Sequence, residues 1–267
     1  MSKNKIYDCI TFFDENLLAN LRFEVLNEVV DYFVVCESKY DHKNRKKKVN
    51  FNLLNKSFKN KVRHILIDKP FPQELNYWQI EEFQREKIMD SIDDADNDDY
   101  IIYSDSDEIP NPELLKELDL KKKYGIFFQD FYVYNFHTFN HYETPWEGSR
   151  VCKKKNLKSI TFLRKKIKSS NLNKSFWKIW VPKDIDIFEK GGWHFNNFYT
   201  PEQISLKLKT FQHTEYAQDR YSDINTIKKK IINLNDLFER GHKYESIEKN
   251  DKIPKRIIEA YENLKNS

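Results

Sequence analysis

Three carboxylates stand within four residues where the chain reads YIIYSDSDEIP at 100–110: Asp105, Asp107 and Glu108. Like charges this close repel, and burying an unpaired one is costly. Either the turn lies in water or something positive sits among the acids. Hard divalent cations such as Mg²⁺ or Mn²⁺ prefer carboxylate oxygen, and their sites leave positions for phosphates and water. An Asp-x-Asp at a strand end supplies such a set. A solvated acidic turn is the plain alternative, because D-x-D is common by chance.

Two further stretches carry chemistry-bearing groups. In WQIEEFQRE (78–86), Glu82 and Arg85 lie three apart on a helix and can pair. Read functionally, the Arg85 guanidinium would take a phosphate. In GGWHF (191–195), His194 sits between two aromatics after a glycine pair. It is either a stacked histidine or a third metal ligand with its other ring nitrogen held. His213 competes for that ligand role. His137 and His141 are four apart, but HTFNH lacks the glutamate of a zinc-protease helix.

Several classes lack support. The chain has only 5 glycines in 267 residues and neither a G-x-G-x-x-G nor a P-loop. Any bound nucleotide needs another device for its phosphates. No nucleophile-elbow motif occurs. Cys9, Cys36 and Cys152 form no C-x-x-C pair, so neither a disulfide framework nor a zinc site is indicated. Net charge is +4, from 46 basic and 42 acidic residues. The lysine runs at 45–48, 121–123, 153–155 and 228–230 are scattered and read as solvated surface; nucleic acid or anionic membrane contact is the alternative. The start, MSKNKIYDC, has no apolar signal region, and no stretch is long enough for a membrane span. A soluble, cytoplasmic chain is expected, with no nucleic-acid partner.

The positioning elements alternate. Strands are predicted at 5–13, 32–37, 62–67, 100–104 and 124–136. Helices are predicted at about 16–28, capped by Asp14, and at 79–92. NPELLKEL is a short helix with Asn111 at N-cap and Pro112 at N1. Residues 137–175 read as polar and irregular, with ETPWEGSR as a loop. Thr200, Pro201 and Gln203 form a capping box before Ile204, Leu208 and Phe211. A tail helix is predicted over 223–240, ending at Gly241. The alternation predicts an α/β fold around a mostly parallel sheet, in which ligands bind at the C-terminal strand ends. The acid turn and Glu37 fall at two such ends.

Four stretches occur in order: YDCITFFDENLLANLRFEVLNEVVDYFVVCES, W…EEFQRE, YIIYSDSDEIPNPE and GGWHFNNF…ISLKLKTFQHTEY. Together, over about 5–215, they resemble glycosyltransferase family 17, the family of the N-acetylglucosaminyltransferase that adds bisecting GlcNAc. The resemblance implies a GT-A-like domain at 1–215 with a helical C-terminal extension at 216–267 packed on it. It also implies a nucleotide-sugar donor (UDP-GlcNAc favoured), a glycan acceptor, Mn²⁺ or Mg²⁺, and an inverting transfer. On that reading Asp107 binds the metal directly and Asp105 binds the ribose or the metal. Phe12, Phe13 and Glu37 line the nucleoside pocket, Arg85 faces the diphosphate and His194 closes the metal shell. Glu147 in PWEGSR and Asp130 in FFQDFYVY are candidates for the catalytic base, and each also reads as an ordinary exposed or strand-edge acid. Animal members carry a membrane anchor that this chain lacks, so a bacterial or viral glycan is the expected acceptor. A Mg²⁺-dependent phosphohydrolase or nucleotidyltransferase, or a non-catalytic glycan- or nucleic-acid-binding protein, are the competing classes.

Overall fold

The computed structural model describes residues 4–210, 218–248 and 250–266. Four strands make a wholly parallel block: β1 (Ile6–Phe12), β2 (Tyr32–Ser38), β3 (Val62–Ile67) and β4 (Tyr100–Ser104), in the order β3-β2-β1-β4. The middle strands β1, β2 and β4 are buried on both faces. That explains their continuous apolar runs, since helices cover both sides of such a sheet. The crossovers are α1 (Asn16–Leu26) and α2 (Tyr77–Glu86). The predicted Asp14 cap is absent. Glu15 occupies the N-cap, and its Oε2 instead accepts the amides of Phe13 (2.9 Å) and Asp14 (3.0 Å), tightening the turn after β1. Helix α2 has an Asn76–Gln79 capping box and stops at Glu86, where a 3₁₀ turn replaces the predicted continuation.

After β4 the chain turns through the acids into β5 (Glu108–Pro110) and α3 (Pro112–Lys116), capped by Asn111 as predicted. Then β6 (Tyr124–Val133), β7 (Thr138–Phe139) and β8 (Trp146–Lys153) extend the sheet. Strand β8 inserts antiparallel between β4 and β6, so the sheet is mixed rather than parallel throughout. The loop expected at ETPWEGSR is therefore the start of a central strand. Helix α4 (Ile160–Lys166) follows, capped by Ser159. Strands β9 (Ile185–Phe188) and β10 (Gly192–Asn196) both pair parallel to β6, and β10 also pairs with β5.

The C-terminal region is helical. Helix α5 (Pro201–Thr210) carries the predicted Thr200–Gln203 capping box. After α6 (Asp219–Ser222), helix α7 (Ile224–Ile232) ends earlier than predicted, and residues 234–240 form turns. Strand β11 (Glu245–Ser246) pairs with β7. Helix α8 (Lys255–Lys265), whose bounds were not read from the sequence, lies in the extension expected to be helical and buries Ile257 in the core that holds α1. The three cysteines are free and buried. No described helix is long and apolar enough to cross a membrane.

Two buried charges organise this fold. Arg22 of α1 is fully buried and forks onto Asp8 of β1, with Nη2 to Oδ1 at 2.5 Å. The same guanidinium donates to Ser104 Oγ (2.7 Å) and to the Glu108 carbonyl. One side chain thus joins α1, β1, β4 and β5. Asp236 is the second. It accepts from the Arg240 amide and Nε (both 2.9 Å) and from Tyr244 Oη (2.9 Å), tying the 234–244 turns together. Burial alone would raise the Asp236 pKa, but these donors outweigh it and hold it at about 2. A depressed carboxylate stabilises the fold above its unfolded pKa of about 3.9 and loses that contribution as pH falls towards the folded value. Asp236→Asn is expected to lose about 2 kcal/mol in urea melts at pH 7, with the gap to wild type closing between pH 4 and pH 2. A gap independent of pH would contradict this.

Candidate active site

The acid turn sits at the C-terminal edge of the parallel block, beside the end of β1. The cation among its acids is an arginine. Arg164 of α4 bridges Asp105 and Glu108, with Nη2 at 2.8 Å from Glu108 Oε1 and Nη1 at 3.2 Å from Oε2. Arg22 reaches the turn from the opposite side through the Glu108 carbonyl. Glu108 is fully buried and also accepts Trp146 Nε1 (2.7 Å) and the Asp105 amide (3.2 Å). It is the hub that shapes the turn. Asp105 keeps 39 % of its side chain exposed, so it can meet a ligand while paired.

Asp107 faces β10. The glycine pair before Trp193 makes this approach possible. A Cβ on Gly191 would lie 2.7 Å from the Phe128 backbone nitrogen, and Gly192 adopts φ +125 against the Ile109 carbonyl. Only glycine fits such a wedge between two strands. The resulting register sets His194 opposite Glu108 on one side and Phe131 on the other. The imidazole stacks on Phe131 at 4.2 Å and lies against Trp146 at 4.9 Å. Its Nε2 is 3.4 Å from Asp107 Oδ1, and its buried Nδ1 has no hydrogen-bond partner among the described residues. Burial opposes charge on both groups, yet each favours charge on the other. Asp107 is held at about 2, by His194 and then Lys207. His194 is raised, by Asp107 and then Glu108 and Asp105.

These groups border a cavity of about 340 Å³. Phe13 and Glu15 reach it from the end of β1, Glu81 and Gln84 from α2, and His42 from the loop after β2. Trp146, Asn196 and Lys207 complete the wall around Asp105, Asp107 and His194. Burial lowers the His42 pKa, which favours a neutral imidazole there.

Of the residues expected at the site, Asp105, Asp107, His194 and Phe13 come together. Phe12 does not: it points into the core, edge-on to Phe51 at 5.4 Å. Glu37 is fully buried and satisfied by Lys47 Nζ (2.8 Å), the amides of Asn50 (2.6 Å) and Phe51 (3.2 Å), and His64 Nε2 (3.2 Å). Burial would raise its pKa, but His64, the Asn50 amide and Lys47 keep it low. Its role is to pin the 47–51 loop. Arg85 stands behind the cavity wall, paired with Glu81 and donating to Tyr103 Oη at 3.0 Å. Glu82 pairs with Lys165 instead (2.6 Å).

Neither expected base borders the cavity. Glu147 is bound by Ser169 and by Arg150 Nη2 at 3.3 Å. Asp130 alternates with Phe131 along β6, so it faces the opposite side from His194. There it lines a separate hollow of about 690 Å³ with Trp193 and Lys252. His213 lies outside the described residues. No cluster of three or more His, Cys, Asp or Glu is assembled to hold a metal among the described residues.

Sequence reasoning missed Arg164, Trp146, Glu15, Glu81, His42, Asn196 and Lys207. Arg164 had a findable signal. Ser159 caps a short helix, and Ile160, Leu163 and Ile167 are all buried on its inner face at spacings of three and four.

The model of glycosyltransferase family 17 matches residues 1–255. The chain belongs to glycosyltransferase family 17. It is therefore a glycosyltransferase, and its architecture is α/β around a mixed sheet with a parallel block, as expected. The search of curated proteins found no match. Distant similarity extends to a solved glycosyltransferase involved in glycosylation of the major capsid of PBCV-1: 14 % identity, TM-score 0.33, covering 69 % of this chain and 81 % of that one. It extends also to glucosyl-3-phosphoglycerate synthase of Mycobacterium tuberculosis with Mn²⁺, UDP-glucose and phosphoglyceric acid: 10 % identity, TM-score 0.42, covering 84 % and 80 %. Neither likeness is close enough to assign a residue of this family 17 site.

Arg164→Met leaves two crowded carboxylates without their cation and is expected to cost about 3–5 kcal/mol. Adding Glu108→Gln should recover part of that loss in urea denaturation. Strictly additive losses would show that Arg164 does not neutralise Glu108.

Proposed function

We propose that this family 17 glycosyltransferase moves a sugar from a nucleotide-sugar donor, UDP-GlcNAc favoured, to a hydroxyl of a glycan acceptor, with inversion and with Mn²⁺ or Mg²⁺. The observation that carries the reading is the shared cavity of Asp105, Asp107 and His194 at the end of a parallel block. The chain has no glycine-rich phosphate loop, so a diphosphate there needs positive charge from side chains or a metal.

Carboxylate and imidazole are donor types that suit Mn²⁺, but as placed they are not gathered round one point: His194 Nε2 faces Asp107, and its unpartnered Nδ1 lies on another edge of the ring. Asp107 would ligate the metal directly. Asp105, steadied by Arg164, would take the ribose or the metal, and His194 would join the set only by releasing Asp107. When bound, the metal supplies positive charge that stabilises the departing nucleoside diphosphate.

The chain's own groups do the rest. Phe13 offers a ring at the mouth of β1, suited to a nucleobase or sugar face. Lys207 adds a cation to the wall. Inversion requires a general base, and we take a carboxylate for it, to remove the proton from the attacking hydroxyl. With Glu147 and Asp130 elsewhere, the carboxylates left for that task are Glu15 and Glu81, which border the cavity. Glu15 already serves two backbone amides, and Glu81 is paired with Arg85.

Isothermal titration with UDP-GlcNAc and Mn²⁺ is expected to show binding by the wild type and none by Asp105→Ala plus Asp107→Ala. Unchanged binding in the double variant would overturn the proposal. Of Glu15→Gln and Glu81→Gln, the one that removes the base should lower kcat by about 10²–10⁴ with donor affinity kept. If neither does, the base is not one of these two carboxylates.

A further inference from the structure

The largest exposed apolar feature lies away from the cavity. Between the 3₁₀ turn at Ser169–Asn173 and β9, Phe176 is 82 % exposed, Trp177 63 %, Ile179 88 % and Trp180 74 %. Such side chains rarely cluster in water without a partner. The segment is nonetheless built. The Lys178 amide donates to the Ser175 carbonyl (3.0 Å), the Val181 amide to Lys178 (3.1 Å), and Lys183 Nζ closes the base onto Ser175 (2.6 Å). Phe176 and Trp177 lean on each other at 4.8 Å.

The surrounding charge is one-sided. Residues 160–183 contain seven Lys and Arg and no Asp or Glu; Arg164 and Lys165 are paired with acids elsewhere, which leaves five. Lys166, Lys168 and Lys174 are exposed in the same stretch of chain. Aromatic and aliphatic tips ringed by lysines match an anionic bilayer surface. The rings enter the headgroup boundary, and the ammonium groups meet lipid phosphates. A sugar-stacking platform fits less well, because the most exposed residues, Ile179 and Phe176, offer no polar partner to hydroxyls. A nucleic-acid surface would not use an aliphatic tip.

We infer that the 174–183 loop docks this enzyme on anionic membrane surfaces. The docking itself does not depend on the proposed donor or metal.

The test is co-sedimentation of the full chain with vesicles of phosphatidylcholine alone and of phosphatidylcholine mixed with phosphatidylglycerol. Wild type should bind the mixed vesicles with a blue shift of tryptophan emission. Lys168→Gln plus Lys174→Gln should weaken binding by about thirty-fold, from the loss of two headgroup charges. Phe176→Ser plus Ile179→Ser should abolish the blue shift. These positions are exposed, so thermal melting should be unchanged, and titration with UDP-GlcNAc is read separately. No vesicle binding by wild type overturns the inference. So do equal binding to both vesicle types, binding kept by the serine variant, and tryptophan quenching by soluble oligosaccharide or self-association in place of vesicle binding.

Discussion

Carboxylates crowded at a strand end must be neutralised, and here Arg164 pairs with Asp105 and Glu108 while His194 faces Asp107. Arg22 reaches from α1 to Asp8, Ser104 and the Glu108 carbonyl. Arg164 reaches from α4 to Asp105 and Glu108. Guanidinium suits both tasks, because its planar fork satisfies several acceptors at once. With Glu108 consumed by Arg164 and Trp146, repulsion within the turn is absorbed internally. Asp107 and the partly exposed Asp105, which shares Arg164 with Glu108, are then presented at the cavity.

Much of the rest follows from that turn. Strand β5 is three residues long and would be weak alone. It is held because β10 wedges between it and β6, which the Gly191–Gly192 pair permits. The wedge carries His194 to Asp107, and the Phe195 amide bonds the Asp107 carbonyl at 2.8 Å. Stacking on Phe131 fixes the imidazole plane. Three distant segments, 105–108, 146–164 and 191–195, thus meet at one place through charge, aromatic packing and glycine sterics.

The sequence made legible what is local. Apolar runs marked β1 to β4, the caps at Asn111 and Thr200 stand where read, and the strand-end rule located the acid turn at the cavity. Direction was not legible. Glu37 lies at the correct strand end, but Lys47 and the amides of Asn50 and Phe51 fold back on it. Phe12 and Phe13 are neighbours on opposite faces, and only the register chose Phe13. The same alternation sent Asp130 to the far side of β10. Arg164 was hidden in a lysine-rich stretch because its acidic partners lie 56 and 59 residues away. Strand β8 was hidden because EGSR is polar, although Ser149 and Arg150 are buried in hydrogen bonds.

The central claim is that the Asp105–Asp107–His194 cavity holds a metal and a nucleoside diphosphate together. A crystal structure with UDP and Mn²⁺, recorded at the manganese absorption edge, tests it most directly. The account predicts an anomalous peak at the Asp107 carboxylate, with the diphosphate in the same cavity. Manganese or UDP in the hollow bordered by Asp130 and Lys252, or nucleotide bound with no metal at Asp107, would contradict it.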